Sequence, residues 1–176
     1  MRLMRGTRIM HSFAWLFAAV IFACAGTPTN GTDPPTDGGP RTDVVIRGNI
    51  EYRGDVMIME SFPVQLSGRV TITNLGTDTE TVVFPDGCVA LLRAYRPGES
   101  APIWDQGSEM ACTMALVPVT LAPGESEDVR TPTSSAYDIL GDEHPDGEYR
   151  ITIYLRPTES SPVEVEGGTT QLAIPR

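Results

Sequence analysis

The sequence predicts an all-β domain, an antiparallel β-sandwich of about seven to nine strands over residues 44–176. Three observations carry this reading. Apolar residues recur with period two along most of the chain. Turn signals fall between those runs: Asn74-Leu75-Gly76, Pro85-Asp86-Gly87, Arg96-Pro97-Gly98, Ala122-Pro123-Gly124 and Pro145-Asp146-Gly147. No stretch sustains the 3.6-residue period of an amphipathic helix.

The elements follow in order. "VVIRGNIEY" reads as a strand from Val44 to Tyr52. In "VQLSGRVTITN", Leu66, Val70 and Ile72 fall on one face and Gln65, Arg69, Thr71 and Thr73 on the other, which marks a half-buried strand. "TETVVFP" stops at Pro85, and "CVALLRAY" reads as a strand from Cys88 to Tyr95. "ACTMALVPVTL" predicts a long strand from Ala111 to Leu121, interrupted at Pro118. "ESEDVRT" is polar enough for an edge. "GEYRITIYL" sends Tyr149, Ile151, Ile153 and Leu155 inward and Arg150, Thr152 and Tyr154 outward. A last strand covers Val163 to Ile174, and "SSAYDILGDE" predicts a helical turn.

The N-terminus reads as an address. Arg2, Arg5 and Arg8 precede an apolar run from Phe13 to Ala23, too short for the roughly 20 residues of a membrane span. Residues 1–23 fit a signal peptide. "IFAC" at 21–24 resembles the lipobox of bacterial lipoproteins, which makes Cys24 the lipidation site and the membrane anchor. Ala23-Cys24-Ala25 is also an A-x-A cleavage pattern; cutting there releases a soluble secreted or periplasmic chain beginning at Gly26. Residues 24–43 are Pro, Gly, Thr, Asn and Asp with almost nothing apolar, the composition of a flexible tether. Asp33, Asp37 and Asp43 are read there as solubilising. The chain is therefore expected in the cell envelope, held by its lipid.

Export decides the reading of the cysteines. With Cys24 lipidated or removed, Cys88 and Cys112 remain in an oxidising compartment, and a disulfide is the expectation. It closes a loop of about 25 residues and contributes roughly 3 kcal/mol. A cysteine nucleophile needs a base, and His144 is the one histidine outside the signal segment, since His11 lies within it. Two cysteines and one histidine fall short of the four ligands of a structural zinc site, so neither metal nor cofactor is expected. Asp142, Glu143, Asp146 and Glu148 gather in "GDEHPDGE" without an established calcium-ligand spacing, and are read as a solvated acidic loop.

All 13 basic residues are arginine, and the ten outside the leader face 23 acidic residues. That balance repels phosphate backbones and excludes nucleic acid as a partner. Trp104 lies in "APIWDQGSEM" and has two readings, a core residue over a sandwich end or an anchor of a binding loop Pro102-Ile103-Trp104-Asp105.

Residues 64–156 resemble the BsuPI family of intracellular proteinase inhibitors. The matching phrases are "VTITNLGTDTETVVFPDG", "PIWD" at 102–105, "VTLAPGES" at 119–126 and "DGEYRITIYL" at 146–155, in the family's order. The resemblance implies an immunoglobulin-like sandwich and a protease as partner. It departs at Asp86-Gly87-Cys88, where the family has a serine-glycine turn after its Phe-Pro. Two functional expectations follow. The first is an enveloped-anchored, non-enzymatic domain that binds a protein or an envelope polymer. The second is an exported proteinase inhibitor acting through loop 96–110 or loop 134–146. Oligomeric state has no signal in the sequence.

Overall fold

The computed structural model describes residues 43–175. Among them the chain forms β1 (Val44–Arg47), β2 (Ile50–Met59), β3 (Gln65–Asn74), β4 (Glu80–Phe84), β5 (Ala90–Tyr95) and β6 (Trp104–Asp105). A short helix α1 (Gln106–Glu109), then β7 (Val117–Leu121), β8 (Ser126–Arg130) and β9 (Ser134–Ser135) follow. Helix α2 (Ala136–Leu140), β10 (Gly147–Leu155) and β11 (Val163–Leu172) complete it. One sheet runs β1-β2-β3-β8 with β9 also against β3; the other runs β11-β10-β5-β6; β4 and β7 form a separate pair. All pairings are antiparallel. In chain order β2, β3, β5, β6, β8, β10 and β11 occupy the places of strands A, B, C, C′, E, F and G of an immunoglobulin-type sandwich.

The alternations seen in the sequence become burial. Leu66, Val70 and Ile72 on β3 meet Ile151, Ile153 and Leu155 on β10, with Leu92 and Phe84 in the same core. Such inward rows, removed from water, drive the two sheets together. One corner carries a recurrent device of this architecture. Tyr149, at the start of β10, donates its hydroxyl hydrogen to the Pro145 carbonyl at 2.7 Å, bonding back across the turn that delivers the strand. The preceding helix α2 begins with a capping box, in which Asp138 Oδ2 accepts from Ser135 N at 2.7 Å and Ser135 Oγ accepts from Asp138 N at 3.2 Å.

Four elements differ from the sequence reading. The strand expected from Val44 to Tyr52 is two strands, because the chain reverses at Gly48-Asn49, where Gly48 takes φ +60°. The resulting β2 runs on to Met59 beside the whole of β3. The strand expected from Cys88 starts at Ala90. The long strand expected from Ala111 starts only at Val117; residues 111–116 are irregular. Pro118 does not interrupt β7: it faces Val83 within the pair and lies exposed, where a missing N–H costs nothing.

Asp43, read as tether, belongs to the sandwich. Its carbonyl accepts from Gly54 N at 3.1 Å and its carboxylate Oδ2 from Glu166 N at 3.2 Å. Among the described residues no helix is long and apolar enough to cross a membrane. The signal segment, Cys24, Asp33 and Asp37 lie outside the described residues.

Candidate binding surface

Cys88 and Cys112 are joined, with Cα atoms 5.5 Å apart. Cys88 is therefore no thiol nucleophile, and an intact disulfide agrees with a non-cytoplasmic compartment. Its surroundings explain the "PDGC" turn. Asp86 Oδ1 accepts from Cys88 N at 2.9 Å, and Asp86 Oδ2 accepts from Arg156 Nη2 at 2.9 Å, just past the end of β10. Gly87 N donates to Thr113 O at 3.0 Å. A Cβ at position 87 would come within 2.2 Å of the Thr113 hydroxyl, so any larger residue there requires that hydroxyl to move. Asp86 and the two cysteines bring three donor atoms within 4.8 Å of one another, but both sulfurs are committed to the disulfide and the carboxylate to Arg156.

The disulfide secures one root of an exposed stretch, and the other root is the Phe84–Val117 pair that opens the β4–β7 ladder. Segments 84–88 and 112–117 are thus held side by side at both ends. Between those anchors the chain turns Met114 and Leu116 to solvent, at 97% and 66% exposure. Met110, just ahead of Cys112, is also exposed. Below the disulfide lies an open cleft of about 450 Å³, lined by residues that include Cys88, Ala90, Cys112, Val129 and Pro132.

The loop residues singled out in the sequence fall differently. Pro102 is exposed and Ile103 half-buried, but Trp104 is only 8% exposed, pairs with Ala94 through β6 and belongs to the core. The core reading of Trp104 is the one the structure shows, and its ring is not an exposed anchor. Its indole N–H is buried with no hydrogen-bond partner among the described residues. Asp105 caps α1, accepting from Gly107 N at 2.9 Å through Oδ1, and binds Arg93 Nε at 2.8 Å through Oδ2. The two candidate loops touch. Buried Gln106 accepts from Leu92 N at 3.0 Å and donates to Pro132 O at 3.0 Å and Ser134 Oγ at 2.8 Å. Arg96 Nη2 lies 3.3 Å from His144 Nδ1. Of the acidic loop, Asp142, Glu143, Asp146 and Glu148 are exposed, and Asp146 Oδ1 accepts from Ile174 N at 3.3 Å.

The outer face of the β11-β10-β5-β6 sheet is roofed by charge rather than open. The Arg93 guanidinium stacks over Tyr154 at 3.3 Å from the ring centroid and meets Asp105 at 2.7 Å. Arg150 stacks over Tyr95 at 4.0 Å and pairs with Glu166 at 2.9 Å. Glu164 accepts from Thr152 Oγ1 at 2.6 Å and from the Tyr95 hydroxyl. Thr152 points outward as its place in the alternation requires, yet it is fully buried under this roof. Burial works against the charge on Arg93, but Asp105, joined by Tyr154 and Tyr95, outweighs it and holds the guanidinium above its ordinary value. Burial, reinforced by Glu164, raises the Tyr95 phenol; burial also raises Tyr52, with Arg47 opposing.

Alkaline behaviour follows from the two phenols. Both stay neutral in the folded chain at a pH where the unfolded chain ionises, so their contribution is intact below about pH 10 and is lost as pH rises through the folded values. Folding stability is expected to fall above about pH 10. Native tyrosinate absorbance should lag that of the denatured chain. Superimposable native and denatured titrations would contradict the burial of these hydroxyls.

No family model and no curated protein matches the chain. Solved structures similar to it include a β-glucosidase involved in saponin metabolism from intestinal bacteria, at 15% identity and TM-score 0.37, with 70% of this chain and 16% of that one covered. Another is the putative ApaA protein from Bordetella pertussis, at 22% identity and TM-score 0.31, with 71% and 96% covered. A third is the β-glucosidase from Listeria innocua in complex with gluconolactone, at 16% identity and TM-score 0.32. The chain covers 66% of its own length there and spans 16% of that enzyme.

Proposed function

We propose that this chain is an exported, envelope-anchored binding protein that presents its sandwich to a protein partner without catalysing a reaction. The observation that carries the reading is the pair of apolar side chains Met114 and Leu116, exposed between a disulfide and a strand pair. Apolar side chains held in water gain free energy when a partner covers them, and a braced loop loses less freedom on docking. The leader, the Pro/Gly/Thr/Asp tether and Cys24 support the anchored location.

A second reading, an exported proteinase inhibitor, is favoured by the same braced loop and by the BsuPI resemblance of residues 64–156. An inhibitor must offer a protease an extended segment already close to its bound conformation.

The test is photo-crosslinking in intact envelopes, because a chain without lysine offers no side-chain amine to the usual reagents. A probe placed at Leu116 should capture a discrete envelope protein, and a probe at Gly124, on an exposed turn, should not. Equal labelling from both positions would count against the reading. The anchor is tested by Cys24→Ser, which should move the chain from the membrane to the soluble fraction.

A further inference from the structure

We infer that Met114 is the residue this chain inserts into the primary specificity pocket of a protease, and that loop 112–117 is the inhibitory segment. The inference rests on the inhibitor reading and goes beyond it by naming the loop, the residue and the class of pocket. Neither loop expected from the sequence contains it. Loop 96–110 contains packed Trp104 and tied Gln106, and loop 134–146 contains the capped helix α2.

The geometry points to Met114 in three ways. First, its side chain is 97% exposed, so nothing in the fold competes with a partner for it. Secondly, its position is fixed from both sides. Cys112 is bonded to Cys88, Thr113 O accepts from Gly87 N at 3.0 Å, and Val117 pairs with Phe84. Only four residues, 113–116, run between the disulfide and the ladder, with a bend at Met114. Such a segment has little freedom left to lose in a cleft. Thirdly, the chemistry is specific. The segment "TMAL" bears no charge, and an unbranched thioether chain fits a deep apolar slot. A pocket that carries a carboxylate to bind lysine or arginine would leave that charge unpaired. The partner is therefore a protease with an apolar primary pocket.

The probes are chymotrypsin and subtilisin, which accept apolar side chains, and trypsin, which does not. The wild-type chain is expected to inhibit at least one of the first two with one-to-one stoichiometry and to leave trypsin active. Met114→Asp should weaken that inhibition about 100-fold. Met114→Lys should transfer inhibition to trypsin. Because Met114 touches so little of the fold, both variants should keep the wild-type thermal midpoint. Leu75→Ser, at another exposed apolar position, should inhibit as the wild type does. Inhibition that survives Met114→Asp unchanged would overturn the assignment of the loop and leave the inhibitor reading standing. Failure of the wild type against both apolar-pocket enzymes would overturn assignment and inhibitor reading together, and leave the envelope-binding reading in place.

Discussion

Asn74→Ala is expected to cost about 3 kcal/mol of folding stability, although the residue looks like an ordinary turn polar group. Asn74 is fully buried at the end of β3. Its Nδ2 donates to Asp78 O at 2.7 Å and Leu121 O at 3.0 Å, and its Oδ1 accepts from Gly76 N at 2.8 Å. Its backbone adds two bonds to the 122–125 turn, donating to Glu125 O at 3.0 Å and accepting from Gly124 N at 2.9 Å. One side chain thus ties three segments together at the same end of the sandwich. Alanine leaves their backbone groups with no side-chain partner in a place water reaches poorly, and each orphaned group costs about 1–3 kcal/mol. Urea unfolding reads the loss directly. Asn74→Asp keeps the acceptor for Gly76 but loses both donated bonds, and is expected to be nearly as damaging. A change below about 1 kcal/mol for alanine would show that these bonds are replaced by solvent.

The second large effect concerns the disulfide. Cys88→Ser with Cys112→Ser is expected to remove roughly 3 kcal/mol, because the open chain regains the entropy of a 24-residue separation in its unfolded state. The thermal midpoint should fall by roughly 10 °C. The effect should be local as well as global. With the sulfurs apart, residues 113–116 keep the Phe84–Val117 pair but lose their other root, so protease digestion should cut there first. If the reduced wild type and the double variant both melt where the oxidised chain does, the bridge contributes nothing to folding.

What could be read from the sequence follows one physical rule. Alternation reports which way a side chain points. It therefore placed Leu66, Val70 and Ile72, and Tyr149, Ile151, Ile153 and Leu155, all of which are buried. It does not report what lies above the other face. Thr152 points outward but is covered by the Arg93, Arg150, Tyr95 and Glu164 roof, and no neighbour in sequence announces that. Apolar letters also do not say whether a strand is paired. "ACTMAL" has the composition of a buried run, yet it is a loop, because Cys112 is committed to Cys88 and the partner strand β4 ends at Phe84, opposite Val117. The turn at Gly48-Asn49 was legible in its residues, but the β-branched residues on either side read equally well as one continuous strand. Cys88–Cys112 pairing came from compartment and count alone, and the contacts that make it a brace are tertiary.

Asp43 gives the domain a mechanical property. Its carbonyl and its carboxylate reach different sheets, one bond to Gly54 on β2 and one to Glu166 on β11. A pull on the chain ahead of Asp43 meets both bonds before it can peel β1 from β2. The load is split between the two layers at its point of entry instead of falling on a four-residue edge strand. A chain tugged from its N-terminal side therefore loads both layers at once, and β1 bears the strain alone only after these two bonds have parted.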